Sequence, residues 1–79
     1  MLAGEKYLYT DSICDGVLVL IETYINGCAN IRIIKTTIRA SSYDSKYYAD
    51  GATHYWSANY GEWKLYIDIY DALEKILNQ

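Results

Sequence analysis

Tyrosine is the residue type that gives this 79-residue sequence its clearest capacity for specific binding chemistry. The chain contains ten tyrosines and two tryptophans but no phenylalanine. Tyrosine combines a large apolar ring with a hydrogen-bonding hydroxyl, so it can anchor a protein interface at a low cost in side-chain entropy. A dense group of aromatic side chains lies at Tyr43, Tyr47, Tyr48, Tyr55, Trp56 and Tyr60. This group predicts a surface that contacts another macromolecule.

The predicted binding site is the segment from Tyr43 to Asp50 together with two adjoining tyrosines. The segment places apolar anchors within a polar rim, which is the usual anatomy of an interface. A loop can present such side chains without disturbing the core, so we expect Ala at Tyr47 or Tyr48 to weaken binding and leave stability nearly unchanged. The predicted partner-binding residues are Tyr43, Asp44, Lys46, Tyr47, Tyr48, Asp50, Tyr55 and Tyr60.

Catalytic and metal-binding chemistry has little support in the sequence. The feature that favours an enzyme or toxin is His54, the one histidine, which lies near Asp50 and could act as a general base. The five glycines are scattered singly, so no glycine-rich phosphate loop is present. Cys14 and Cys28 lack the paired spacing of zinc ligands and predict free thiols. We therefore predict that the protein is not an enzyme and has no catalytic residues, metal or cofactor.

The charge balance favours a protein partner over nucleic acid. The formal net charge is −3, and mild acidity repels free nucleic acid while permitting contact with a basic protein surface. The alternative function is a nucleic-acid-binding module, in which Arg32, Lys35 and Arg39 of one predicted strand would act with stacking tyrosines. The small size of this basic patch makes nucleic acid the weaker expectation.

The length predicts one domain over residues 1–79, because 9.1 kDa leaves no room for a second core. The longest apolar run, Val17 to Ile21, is far shorter than the ~20 residues that cross a bilayer. The start, Met1 to Glu5, lacks the basic and apolar regions of a signal peptide. We expect a cytoplasmic protein that makes no membrane contact.

A β-hairpin is predicted around Asn26-Gly27, the dipeptide that most strongly favours a tight hairpin turn. The segments on either side, Gly16 to Ile25 and Ile31 to Ala40, are rich in β-branched residues. An even-numbered loop would pair odd positions of the first strand with even positions of the second. The predicted core face then carries Val17, Val19, Ile21, Ile34 and Ile38.

The C-terminal third predicts two more strands and a helix. Residues 53–59 and 62–67 would pair through a turn at Tyr60-Gly61, and Asp68 would cap a closing helix. Two helical alternatives remain open, since residues 12–25 and 60–78 also show helical spacing of apolar or polar side chains.

The fold class predicted from these elements is α+β. A four- or five-stranded antiparallel meander would pack one face on a single C-terminal helix. The other face and the tyrosine-rich loop would be left to solvent or a partner. A homodimer through an uncovered sheet edge is compatible with this arrangement.

The chain resembles, in general character, the small phage-encoded proteins that act against host defences, anti-CRISPR proteins among them. The shared traits are short length, mild acidity, a small sheet with one helix and an aromatic-rich loop such as Tyr43 to Tyr48. The resemblance implies a non-enzymatic inhibitor that binds a host protein or nucleoprotein complex and blocks it sterically.

Overall fold

A computed structural model describes residues 1–12 and 16–78, and within them it contains five strands and two helices. In chain order these are β1 (Lys6–Thr10), β2 (Val17–Ile25), β3 (Cys28–Thr36), α1 (Ile38–Tyr43), β4 (Thr53–Ser57), β5 (Glu62–Tyr66) and α2 (Ile69–Leu77). The strands form one antiparallel sheet, and α2 packs against it. The predicted α+β class, with a C-terminal helix on one face of the sheet, is confirmed.

The strand order is β4-β3-β2-β1-β5, so the first four strands form a meander and β5 joins beside β1. The predicted pairing of residues 53–59 with 62–67 is therefore wrong. Trp63 of β5 lies opposite Tyr9 of β1 instead, and the two rings pack with centroids 4.5 Å apart. That aromatic contact is available only when β5 lies beside the first strand.

The sheet curls, because β4 and β5 lie at its opposite edges but are joined by the short turn of residues 58–61. The edges of a flat five-stranded sheet would be about 19 Å apart, which this turn cannot cross. The curl brings the rings of Trp56 in β4 and Trp63 in β5 to a centroid distance of 5.7 Å. The concave side of the sheet thus brings aromatic rings from its two edges into contact.

The hairpin of β2 and β3 confirms a strand rather than a helix over residues 17–25. Asn26 and Gly27 have φ angles of +54° and +79°, the left-handed pair that a two-residue hairpin turn requires. Two bulges then shift the register, between Leu18 and Val19 and between Ile21 and Thr23. Val19 consequently lies opposite Ile33, an odd–odd pair that an unbroken hairpin would not give.

The predicted core face was correct for β2 and wrong for β3. The bulges turn Ile31 and Ile33 inward and place Ile34 on the opposite face of the sheet. Ile38 lies outside the strand and is 83% exposed. Each bulge inserts one unpaired residue. Beyond the bulge, the residues that a count from the turn would place on one face of the sheet therefore lie on the other face.

Helix α1 replaces the end of the strand predicted over residues 31–40. The Thr37 hydroxyl accepts the backbone N–H of Ala40 at 3.2 Å, which caps the helix and ends β3 at Thr36. Arg39 is therefore a helical residue, and it shares no strand face with Lys35. The helix also includes Tyr43, the first residue of the segment from Tyr43 to Asp50 that was predicted as a loop.

Two hydrophobic clusters hold the fold, one on each face of the sheet. The inner cluster contains Tyr7, Tyr9, Val17, Val19, Ile21, Ala29, Ile31, Ile33, Ala40, Tyr48 and Trp56. The outer cluster buries Leu18, Ala72 and Ile76, with Leu8, Ile34, Tyr66 and Leu73 partly buried around them. The outer cluster is the contact of α2 with the sheet.

Residues 60–78 do not form one helix, because they contain the strand β5 followed by the helix α2. The predicted cap is present, since the Asp68 carboxylate accepts the backbone N–H of Asp71 at 3.4 Å. Neither helix of the described chain has the length and apolar character that crossing a bilayer requires.

Candidate functional site: an aromatic and acidic cleft

An open cleft of about 600 Å³ lies where β1, β4, the end of α1 and the turn before β5 meet. We call it the aromatic cleft. It is lined by Tyr9, Asp11, Tyr43, Asp44, Tyr47, Tyr48, Trp56, Tyr60 and Gly61. Its lining therefore combines six aromatic side chains with two carboxylates.

The floor of the aromatic cleft is part of the inner core. The rings of Tyr9 and Trp56, both buried, lie 4.2 Å apart between centroids. The Tyr9 hydroxyl donates to Oδ2 of Asp11 at 2.9 Å. Burial, reinforced by that hydrogen bond, raises the pKa of the Tyr9 phenol above its ordinary value near 10. The floor is thus rigid and carries an uncharged phenol at neutral pH.

The turn between β4 and β5 closes one end of the cleft through Gly61. Its φ is +65°, and an added Cβ would lie 2.5 Å from the Thr10 carbonyl oxygen and 2.5 Å from the Tyr9 ring. The Tyr60 carbonyl oxygen accepts the indole N–H of Trp63 at 2.9 Å. Glycine therefore allows the turn to approach β1 closely, which places the Tyr60 side chain at the rim, 66% exposed.

Asp44 organises the opposite side of the cleft. Its Oδ1 accepts the backbone N–H groups of Lys46 at 3.2 Å and Tyr47 at 2.9 Å, a local turn that the side chain stabilises. The adjacent Tyr43, at the end of α1, is 63% exposed. Asp44 thus holds the segment that brings Tyr47 to the cleft wall.

His54 packs against the ring of Tyr47. The two rings stack with centroids 3.8 Å apart and an interplanar angle of 18°. The His54 Nε2 lies 2.6 Å from the Tyr47 carbonyl oxygen, so this nitrogen carries the proton that the hydrogen bond requires. Burial raises the pKa of the Tyr47 phenol, and the charge of Asp44 raises it further. His54 therefore acts as a support for the wall.

Five of the eight predicted site residues line the aromatic cleft: Tyr43, Asp44, Tyr47, Tyr48 and Tyr60. Tyr48 is only 6% exposed and belongs to the inner cluster, so the expectation that it is free of the core was wrong. The reason is that the loop folds back over the concave face of the sheet, where Tyr48 packs near Trp56 at 6.4 Å between centroids.

The other three predicted residues lie outside the cleft lining. Lys46 is exposed, and Asp50 forms a salt bridge with Lys35 at 3.4 Å. Tyr55 is 71% exposed on the face of β4 opposite to Trp56. Because neighbouring residues of a strand point to opposite faces, Trp56 points inward and Tyr55 outward. Of the predicted partner-binding residues, five therefore line the aromatic cleft and three lie elsewhere on the surface.

Four lining residues were absent from the predicted site: Tyr9, Asp11, Trp56 and Gly61. Trp56 could have been predicted as a site residue from the sequence, since it belongs to the aromatic group between Tyr43 and Tyr60. The alternation of Tyr7 and Tyr9 around Leu8 was a weaker signal that both tyrosines share one face. Nothing local in the sequence connects Tyr9 with the segment after residue 43, because the pairing of β1 with β5 makes that connection.

The basic residues that favoured a nucleic-acid-binding function are dispersed over two elements. Arg32 forms a salt bridge with Glu22 at 3.3 Å, and Lys35 is paired with Asp50. With Arg39 on α1, the three basic residues form no continuous stripe.

The candidates for metal or redox chemistry are likewise separated. Cys28 is a free thiol, as predicted, and Cys14 lies outside the described residues. Within the described ranges, no group of three His, Cys, Asp or Glu side chains could hold a metal ion.

No protein-family model matches the chain, and no curated protein or solved structure is significantly similar to it.

Proposed function

We propose that this chain is a non-enzymatic protein-binding module whose partner docks in the aromatic cleft. The observation that supports this is the pair of exposed tyrosines, Tyr43 and Tyr60, beside a cleft whose floor is rigid and buried. Exposed aromatic side chains around a well-packed base have the anatomy of an interface hot spot.

The chemistry of the lining supports binding rather than catalysis. The described lining has no histidine, cysteine, serine or lysine, and in the hydroxyl–carboxylate pair of Tyr9 and Asp11 the raised pKa of the buried phenol makes Tyr9 a poor nucleophile. The net charge of −3 and the ion pairs of Arg32 and Lys35 argue against a nucleic-acid partner.

The proposal extends to the mode of action. A partner side chain seated in the cleft would hold the whole domain against the partner's surface, where its bulk excludes other molecules. A small inhibitor that blocks a host protein or nucleoprotein complex, of the phage anti-defence type, would act in this way from the cytoplasm.

The experiment is affinity capture from host lysate with three forms of the full chain, followed by affinity measurement on the captured partner. The double variant Tyr43→Ala/Tyr60→Ala removes both rim rings, and Tyr55→Ala is the matched control because it removes an equally exposed tyrosine outside the cleft. We expect the double variant to lose about 2 kcal/mol or more, roughly thirtyfold in affinity.

The control should bind like the wild type, and all three forms should melt at similar temperatures, since exposed substitutions change stability by less than about 0.5 kcal/mol each. Equal affinity of the double variant and the wild type for every captured protein would refute the proposal.

A further inference from the structure

Carboxylates and aromatic rings converge in the aromatic cleft, and no described lining residue is basic. Asp11 and Asp44 lie beside the rings of Tyr9, Tyr47 and Trp56. The face of an aromatic ring carries partial negative charge, so rings and carboxylates attract the same kind of group. A cation therefore matches both parts of the lining, whereas an anion would be opposed by both.

Asp44 lines the cleft and is held there by neutral donors. Its Oδ1 accepts the two backbone N–H groups of Lys46 and Tyr47, which fix the direction of the carboxylate but are neutral donors. The two salt bridges found in the described part of the chain use Glu22 and Asp50, not Asp44. The exposed Asp44 carboxylate thus adds a net negative charge to the cleft.

The tyrosines supply ring faces rather than additional charge. Burial raises the pKa of the phenols of Tyr9 and Tyr47, so both remain neutral at physiological pH. The ring of Tyr47 is also held in one orientation by its stacking on His54. A ring that is already fixed loses little entropy when a planar group stacks against the cleft wall.

We infer that the aromatic cleft receives an arginine side chain of a partner protein, which stacks on an aromatic ring and donates hydrogen bonds to Asp44. The guanidinium group is planar, weakly hydrated and able to donate two parallel hydrogen bonds to one carboxylate. A lysine ammonium is a compact, strongly hydrated charge, and a trimethylammonium group has no N–H to donate. The inference rests on the proposed function, because it names the chemistry of the docking residue.

The first test titrates the isotopically labelled full chain with four pentapeptides that differ only at the centre. The sequence is Gly-Gly-X-Gly-Gly with blocked ends, and X is arginine, citrulline, lysine or trimethyllysine. The indole N–H signal of Trp56, on the cleft floor, reports occupancy. We expect the arginine peptide to bind about tenfold more tightly than the citrulline peptide, which has the same shape without the charge.

The second test uses two matched variants of the chain. Asp44→Asn removes the charge but keeps a side-chain oxygen that can accept the N–H groups of Lys46 and Tyr47. We expect it to weaken the arginine peptide about tenfold. Asp50→Asn is the control, because Asp50 is paired with Lys35 outside the cleft lining, and it should bind the peptide like the wild type.

The inference is overturned if no peptide binds, if arginine and citrulline bind equally, if lysine or trimethyllysine binds more tightly, or if Asp44→Asn has no effect. These outcomes are separable from failure of the proposed function, which the Tyr43→Ala/Tyr60→Ala variant tests on the captured partner. A chain that needs its rim tyrosines but shows no preference for arginine would keep the proposed function and reject this occupant.

Discussion

The two faces of the sheet are packed in different ways. The inner face combines β-branched residues of β2 and β3 with the rings of Tyr9, Tyr48 and Trp56. The outer face is covered by α2, whose described residues Ala72 and Ile76 are buried with Leu18. The fully buried residues described in the outer cluster are aliphatic, while the inner cluster also contains aromatic rings that extend to the aromatic cleft.

The difference shows that stability and candidate binding share one face of this protein. Tyr9 and Trp56 belong to the inner cluster and also line the aromatic cleft, whereas Tyr43 and Tyr60 line the cleft from exposed positions. A substitution at the floor therefore tests the fold first, and a substitution at the rim tests binding. We expect substitutions to cost more unfolding free energy on the inner face than on the outer face, and more at the floor of the cleft than at its rim.

The largest effect is expected at the floor of the cleft. Trp56 is 8% exposed and packs against Tyr9 and Trp63, so Trp56→Ala should cost about 3–5 kcal/mol of unfolding free energy. A chain of 79 residues has a total unfolding free energy of about 4–12 kcal/mol, so this variant should lose a large part of its stability. Chemical denaturation followed by circular dichroism measures the change. A loss below about 1 kcal/mol would show that the inner cluster is not the main source of stability.

Adjacent loop tyrosines should differ sharply. Tyr48 is buried in the inner cluster and Tyr47 is partly exposed, so Tyr48→Ala should cost about 3 kcal/mol and Tyr47→Ala about 1 kcal/mol or less. At about 4–8 °C per kcal/mol for a domain of this size, the melting temperatures should separate by roughly 8 °C or more. Equal melting temperatures would mean that the two rings are equivalent, as the sequence alone suggested.

A smaller effect is expected on the outer face. Ile76 is buried, and among the described residues its fully buried neighbours in the outer cluster are Leu18 and Ala72, so Ile76→Ala should cost about 2 kcal/mol, the low end for a buried isoleucine. Ile33→Ala in the inner cluster is the matched control and should cost more. The comparison uses the same denaturation measurement for both variants. If Ile76→Ala is the more damaging, the contact of α2 with the sheet contributes more to stability than the inner cluster does at Ile33.

The smallest effect concerns pH. Tyr9 has a pKa raised by burial, so the folded state favours the neutral phenol, while the unfolded chain titrates near pH 10. This contribution is fully present below about pH 10 and is lost as pH rises towards the folded pKa. Between about pH 9.5 and 11, the wild type should lose about 1 kcal/mol more than Tyr9→Phe. Parallel stability profiles would contradict burial of a neutral phenol at the floor.

Much of the secondary structure could be predicted from the sequence, because its causes are local. The Asn26-Gly27 turn, the strand at residues 62–66 and the cap at Asp68 each depend on a few neighbouring residues. The aromatic group between residues 43 and 60 was likewise visible, and it supplied five of the residues that line the cleft.

Strand partners and register were decided by tertiary structure. The register set by the turn would place Ile34 on the inner face. The two bulges between β2 and β3 place Ile31 and Ile33 there instead, because packing of the curled sheet outweighs the register set by the turn. The pairing of β5 with β1 brings Trp63 beside Tyr9, a contact between residues far apart in the chain.

By itself, the sequence determined which side chains this protein has available for binding: tyrosines, two tryptophans and an excess of carboxylates. Only the tertiary structure decided which of them act together. The curl of the sheet collects Tyr9 and Asp11 from one end of the chain, Asp44 and Tyr47 from the middle and Tyr60 from the turn before β5 into one cleft. Such a site depends on long-range packing, which no short window of sequence encodes.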